Sequence, residues 1–318
     1  MKTPLLFRSK ALVESESEAK EELRALLKRV RQLELSTRKM VNNQASGAYH
    51  TKFKGRGMAF EESRAYVPGD DPRHVDWNTT ARTGDLHVKV FAEERELTLI
   101  LAVDLSGSMS FGSGAASKRQ MATEAAAMLA FSALRNNDKV GLLLFTDRVE
   151  RLVRPQKGRG HVMRILRDIL SVEPKGQKTD LALATKTLSA LSKQRAIVAI
   201  LSDFQTPEQP VTSYEKPLRT LGKRHDVMMV ELADPREHEF PNVGLIRLFD
   251  PESGQTHFVD TSAPDGQRQF ALMVQRERAH IRQTFRRFGL DHATVLQRED
   301  VPKTMVRLLS RGSGGMTT

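Results

Sequence analysis

The sequence of 318 residues contains no cysteine. That single absence removes disulfides, thiolate zinc sites, iron–sulfur clusters and cysteine nucleophiles, and it fits a reducing compartment. No apolar run is long enough to cross a bilayer. The N-terminus offers only Leu5, Leu6 and Phe7 before charges take over, which is not the pattern of a signal peptide. The expectation is a cytoplasmic protein. The nine histidines show no paired ligand spacing, so a zinc site is not expected. Aromatic residues are sparse, with 14 Phe, three Tyr and one Trp. No internal repeat is visible.

What is present reads as an ordinary globular chain, 39% hydrophobic and 28% charged. Its length allows roughly two domains, or one large α/β unit with appendages. A core of that size needs no covalent staples. The net charge of +11 sits at the two ends: residues 1–55 carry +6, residues 265–318 carry +5, and the stretch between is neutral. Charge alone does not choose among nucleic acid, acidic lipid and acidic protein. Few aromatics accompany the basic ends, which weakens a stacking mode of nucleic-acid binding. Solvated helix faces are the simpler reading: no DNA or RNA is expected, and peripheral membrane contact is left open.

Along the chain, residues 14–44 read as an amphipathic helix, with Leu23, Leu26, Leu27, Val30 and Leu33 on one face and Ser46-Gly47 as its stop. Residues 47–96 are rich in turn chemistry, with a short alternating strand over 86–91. Buried strands over 97–103, 139–145, 196–202 and 226–232 then alternate with helices over 118–136, 161–170, 180–191 and 217–223, and an edge strand falls at 149–153. Continuous apolar strands separated by helices predict a mostly parallel α/β sheet covered on both faces. A β-hairpin follows near 245–260. A basic amphipathic helix spans 264–288, with Phe270, Met273, Ile281, Phe285 and Phe288 on one side. A last strand at 293–296, a last helix at 301–309 and a loose tail over 312–318 complete the chain.

The chemistry concentrates where the first buried strand ends, in Asp104-Leu105-Ser106-Gly107-Ser108. In open α/β sheets, functional groups gather beyond the carboxyl ends of strands. Three oxygen-bearing side chains at alternate positions of a tight loop can face one centre, and hydroxyl and carboxylate oxygens suit a hard cation such as Mg²⁺. Thr179, in a loop ahead of a helix, and Asp203, just past the strand 196–202, can complete the shell. Each has a plainer reading as well, and Thr179 is a natural N-cap for the helix beginning at Asp180.

Asp104, Ser106, Ser108, Thr179 and Asp203 together resemble the metal-ion-dependent adhesion site (MIDAS) of von Willebrand factor type A domains. Upstream, Arg64-x-Tyr66-x-Pro68-Gly69-Asp70-Asp71-Pro72-Arg73, Asp76-Trp77, Ala81-Arg82 and Glu94-Arg95 resemble the bacterial domain-of-unknown-function 58 proteins, which carry such a domain. The resemblance covers about residues 55–232. It implies a Rossmann-like von Willebrand factor type A unit over residues 97–311. Residues 1–46 then form an N-terminal helix, and residues 47–96 a family-signature β/turn segment packed on the main unit. It further implies a divalent metal (Mg²⁺, or Mn²⁺ or Ca²⁺) held by the five oxygen-bearing residues, no intrinsic catalysis, and work beside a MoxR-type AAA+ ATPase in assembly, maturation or stress-related processes. Many members carry N-terminal membrane helices; the sequence departs from that pattern, and a soluble branch is the expectation.

The residues themselves agree with a non-catalytic metal-dependent interaction module. An ion held mostly by hydroxyls stays under-neutralised and favours an Asp or Glu offered by a partner protein. A metal-dependent phosphatase needs a second acid two positions after its aspartate, where this chain has Ser106. A serine hydrolase fares no better, since Ser108 lies outside a G-x-S-x-G elbow. That hydrolase reading and a basic nucleic-acid binder remain as alternatives. Arg64, Asp70, Asp71 and Arg73 are candidates for an ion-pair network pinning the signature segment to the sheet, with Trp77 as its apolar anchor, or for a docking surface. Arg276, Arg282 and Arg286 on the basic helix are candidate partner contacts.

Overall fold

The computed structural model describes residues 28, 31–32, 34–35, 46–53, 59–92, 96–114, 116–206, 211–237, 244–249, 256–262 and 264–310. Most of the helix expected over 14–44 and the tail over 312–318 lie outside the described residues.

A six-stranded sheet organises the chain. It is built from β3 (Thr98–Asp104), β4 (Lys139–Phe145), β5 (Val149–Gln156), β6 (Ile197–Ser202), β7 (Asp226–Leu232) and β10 (Asp291–Val295), in the order β10-β7-β6-β3-β4-β5. Every neighbouring pair is parallel except β4 and β5, which are antiparallel. The sheet expectation therefore holds, and the edge strand expected at 149–153 runs on to Gln156. Two register shifts interrupt its pairing with β4. Near one of them a Cβ on Gly141 would stand 2.9 Å from the Pro155 ring, so only glycine lets the two strands approach there.

Side-chain alternation along β3 sorts the core into two layers. Leu99, Leu101 and Val103 face α3 (Lys118–Arg135), α4 (Arg159–Ser171), α8 (Val301–Ser310) and α1 (Ser46–Phe53). Ile100 and Ala102 face α5 (Leu181–Leu191), α6 (Val211–Arg224) and α7 (Pro264–Arg287). With both faces covered, each central strand is apolar along most of its length, which is why those strands read as hydrophobic runs. α3 is buried on most of its circumference and begins at a reciprocal cap. The Gln120 N–H donates to the Ser117 hydroxyl at 3.3 Å, while the Ser117 N–H donates to Gln120 Oε1 at 3.0 Å.

Several expectations need correction. Ser46 and Gly47 do not stop a helix; they open α1, whose Tyr49 and Phe53 are buried and whose Lys52 donates to the Leu308 carbonyl at 2.6 Å and pairs with Asp291 at 2.8 Å. α6 begins well before Pro217, which sits inside the helix instead of at its first position. On α7, Phe285 is fully buried and Ile281 and Phe288 pack beside it, but Met273 is exposed; the side chain of Phe270 lies outside the described residues. The apolar face thus serves the C-terminal half of the helix.

The signature segment forms a hairpin of β1 (Ala59–Ala65) and β2 (His87–Ala92), with α2 (Trp77–Thr83) between them. Trp77 is 70% exposed and is no anchor. It occupies the first position of a two-turn helix that Asp76 caps, so its ring points away from the hairpin core formed around Val75 and Val88. The ion pairs are local. Arg64 and Asp70 form a two-pronged pair at 2.8 and 2.7 Å, and Arg73 holds Asp71 at 2.7 Å. Each closes a turn inside the segment and none is to the sheet. A second hairpin, β8 (Leu245–Phe249) with β9 (Thr256–Asp260), precedes α7 as expected.

Candidate metal centre

β3 and β6 are neighbours although α3, β4, β5, α4 and α5 separate them in sequence, so the sheet order reverses between them. Such a switch point leaves a crevice beyond the strand ends. Asp104 is the last residue of β3, and Asp203 follows the last residue of β6.

Four of the five residues singled out in the sequence meet there directly. The Ser106 N–H donates to Asp104 Oδ1 at 2.8 Å, the Thr179 hydroxyl donates to Asp104 Oδ2 at 3.1 Å, and the Ser106 and Ser108 hydroxyls lie 3.2 Å apart. The loop bearing Thr179 is tied to the first loop by the Gly107 N–H, which donates to the Gln177 carbonyl at 2.8 Å. Thr179 does not cap α5. Asp180 does, accepting from the Leu183 N–H at 2.8 Å, and this frees the Thr179 hydroxyl for Asp104. The same loop is fixed from below by Glu150, whose Oε1 accepts from the Gly176 N–H at 2.8 Å, the Lys175 N–H at 3.1 Å and the Thr146 hydroxyl at 2.8 Å.

Asp203, the fifth, is present at the crevice but engaged elsewhere. Its Oδ2 accepts from the Lys118 ammonium at 2.7 Å and its Oδ1 from the Gln205 N–H at 3.1 Å. Phe204, next along, is fully buried with φ of 55°, a left-handed conformation a phenylalanine adopts only when packing enforces it. Its ring meets Phe285 edge-on at 5.2 Å, which supplies that packing.

Three residues the sequence reading passed over belong to the site. Ser202 donates its hydroxyl to Asp104 Oδ2 at 2.6 Å. Lys118, the first residue of α3, has a side chain with no exposure, and its ammonium is shared between Asp203 and Glu237. Glu237 in turn accepts from Arg278 of α7 at 3.2 Å and from the Asp234 N–H at 3.1 Å. A lysine at the first turn of a helix ordinarily points to water, and nothing in its sequence surroundings marks it as buried.

The electrostatics follow from this burial. Burial first, and the Asp203 charge second, push the Asp104 carboxyl up to about 6, against the hydrogen bonds from Ser202 and Ser106. Burial also works to lower the Lys118 ammonium, but the charges of Asp203 and Glu237 outweigh it and the group is held above its usual range. A buried carboxylate surrounded by hydroxyls, with its proton affinity raised, has unmet demand for positive charge. All the converging donors are oxygen, and a hard divalent cation is what such a donor set fits.

Of the other candidates, Arg64, Asp70, Asp71 and Arg73 stay on the β1–β2 hairpin in the pairs already described. Arg276 and Arg286 are exposed on α7. Arg282 is not free: it reaches Glu231 Oε2 at 3.2 Å and belongs to the packing of α7 on β7.

The family described as protein of unknown function DUF58 matches residues 62–280. The chain belongs to that family. An uncharacterized protein of Mycobacterium tuberculosis is 33% identical over 292 residues, 90% of each chain. Among solved structures, the chain is similar to a conserved hypothetical protein, BatB, of Bacteroides thetaiotaomicron. That likeness has a TM-score of 0.46 at 16% identity and covers 67% of this chain and 97% of the other. A von Willebrand factor type A protein of Catenulispora acidiphila gives a TM-score of 0.42 at 10% identity, over 72% of this chain and 44% of that one. Among the described residues of this DUF58 chain, no helix is long and apolar enough to cross a membrane.

Proposed function

We propose that this DUF58 protein is a non-catalytic interaction module whose recognition of a protein partner depends on a divalent metal, Mg²⁺ in the first instance. The observation that carries the reading is the convergence on Asp104 of the Thr179 and Ser202 hydroxyls, with the Ser106 and Ser108 hydroxyls beside it, at the point where the sheet order reverses. Asp104, Ser106, Ser108 and Thr179 would hold the ion, and Asp203 would act on it through its charge. The ion supplies a Lewis-acidic position that takes an acidic side chain.

The residues of this chain orient that position and do no bond-breaking. Ser106 occupies the place where a phosphatase would keep its acid. The hydroxyls cannot neutralise a double charge, so a carboxylate from a partner completes the balance. A MoxR-type AAA+ ATPase, implied by the resemblance, is the partner proposed, in the cytoplasm.

The test is a calorimetric titration of Mg²⁺ into chelator-stripped protein, followed by capture of the purified ATPase in Mg²⁺ or in EDTA. Binding and Mg²⁺-dependent capture by the wild type, both lost in Asp104→Ala, support the reading. Absence of Mg²⁺ binding, or metal-dependent turnover of phosphate esters abolished by Asp104→Ala, overturns it.

A further inference from the structure

We propose that Lys118 is a built-in counter-cation that limits how tightly the oxygen cluster takes a divalent ion, by occupying Asp203. The inference rests on the metal reading above and deepens it: it assigns a residue that sets the affinity of the site.

The geometry divides the crevice into two halves. Around Asp104 every donor is neutral: the Ser106 N–H, the Thr179 hydroxyl and the Ser202 hydroxyl. Around Asp203 one donor is a full positive charge, the Lys118 ammonium at 2.7 Å, and the other is the Gln205 N–H. Both Asp203 oxygens are thus committed to the chain itself. Lys118 does not reach water: its side chain has no exposure, its ammonium is held by Asp203 and Glu237, and the Phe111 ring centre lies 6.0 Å from that ammonium. A buried ammonium is tolerated only while its acids stay paired with it, so leaving Asp203 costs the protein a desolvated, half-compensated charge.

This pairing bears on a cation arriving at Asp104. It meets one carboxylate not already paired with a cation instead of two, because the Lys118 ammonium holds Asp203 and is itself offset by Asp203 and Glu237. Metal held alone is therefore weak, and a partner carboxylate gains correspondingly more by joining it. Lys118 serves as a positioning residue that makes the metal and the partner depend on each other.

Glu237 provides an internal control. It is the second acid of Lys118 and is separately secured by Arg278 and the Asp234 N–H. Removing the Lys118 charge and removing the Glu237 charge act on the site with opposite signs. Loss of a merely structural contact would move both variants the same way.

The experiment is calorimetric titration of MgCl₂ into stripped wild type, Lys118→Met and Glu237→Gln, with the metal-induced rise in melting temperature as a second readout. Lys118→Met is expected to bind Mg²⁺ roughly tenfold tighter or more and to gain the larger thermal shift, as unmasking a buried carboxylate should. Glu237→Gln is expected to bind more weakly than wild type, and it keeps the test alive if Lys118→Met fails to fold. Wild-type binding with unchanged or weaker affinity in Lys118→Met, or Glu237→Gln binding no more weakly than wild type, overturns this inference alone. No Mg²⁺ binding by any of the three removes it together with the metal reading.

Discussion

Ser202 and Asp104 meet across two neighbouring parallel strands, the serine hydroxyl donating to Asp104 Oδ2 at 2.6 Å. The same hydroxyl oxygen accepts from the Phe204 N–H at 2.9 Å, so one side chain satisfies a buried carboxylate and the tight turn that presents Asp203. Ser202→Ala leaves both of these buried groups short of a partner. The expected loss is about 1–3 kcal/mol, the usual penalty for a buried polar group deprived of its bond. Urea denaturation in EDTA measures it, and an unchanged midpoint would show that the hydroxyl is dispensable.

Gly176 tests the positioning of the Thr179 loop. A Cβ there would stand 1.9 Å from Asp147 Oδ1 and 2.2 Å from the Thr146 hydroxyl, which forces the loop away from Glu150. Gly176→Ala is expected to keep the far-ultraviolet circular dichroism of the wild type while losing most of the Mg²⁺-induced rise in melting temperature. Retention of the full rise would mean that Thr179 is not needed for the ion.

Glu231 gives a pH dependence. Burial works to raise its carboxyl, but hydrogen bonds with His292 and Thr294 and the charge of Arg282 prevail and hold it at about 2. A carboxyl depressed on folding contributes stability that is complete above its ordinary value of about 4.5 and is lost as pH falls toward 2. The difference in stability between wild type and Glu231→Gln should therefore shrink across that interval, by on the order of 3 kcal/mol. Chemical denaturation at stepped pH reads it; a constant difference would contradict the assignment.

The arginines of α7 should separate into two groups. Arg282 touches Glu231 and lies 3.4 Å from the Thr294 hydroxyl, so Arg282→Ala should destabilise the protein by about 1 kcal/mol. Arg276 and Arg286 are exposed, and their joint replacement by alanine should leave the melting temperature within error. If they steer a partner, that variant will associate more slowly and with a shallower salt dependence, measurable by stopped flow.

The parallel sheet was legible because strands covered on both faces have no polar alternation to blur them, and Asp104 was legible because its serines follow at fixed spacing. Ser202 left no such trace: a serine at the end of a buried strand is ordinary, and only the strand order places it beside Asp104. Lys118 and Glu237 are 119 residues apart, and their pairing depends on how the chain segment after β7 folds back over the start of α3. Thr179 read equally as a cap, and only the structure gives that role to Asp180 and turns the Thr179 hydroxyl to Asp104. Trp77 misled for a different reason: a lone tryptophan beside an arginine–aspartate cluster reads as buried, yet helix α2 is too short to shield it.

The antiparallel course of β5 bears on how the protein avoids sticking to itself. A parallel sheet ending on β4 would expose an apolar strand whose amides and carbonyls invite another chain. Here the rim is instead β5, with Glu150, Arg151 and Arg154 along it and a proline at position 155 that offers no N–H. Its two register shifts against β4 break the even ladder an incoming strand would need. Fibril-like extension is discouraged on that side of the molecule, although Leu152 stands 45% exposed there. The apolar centre of the sheet can be as hydrophobic as packing requires because its outer border is a poor template.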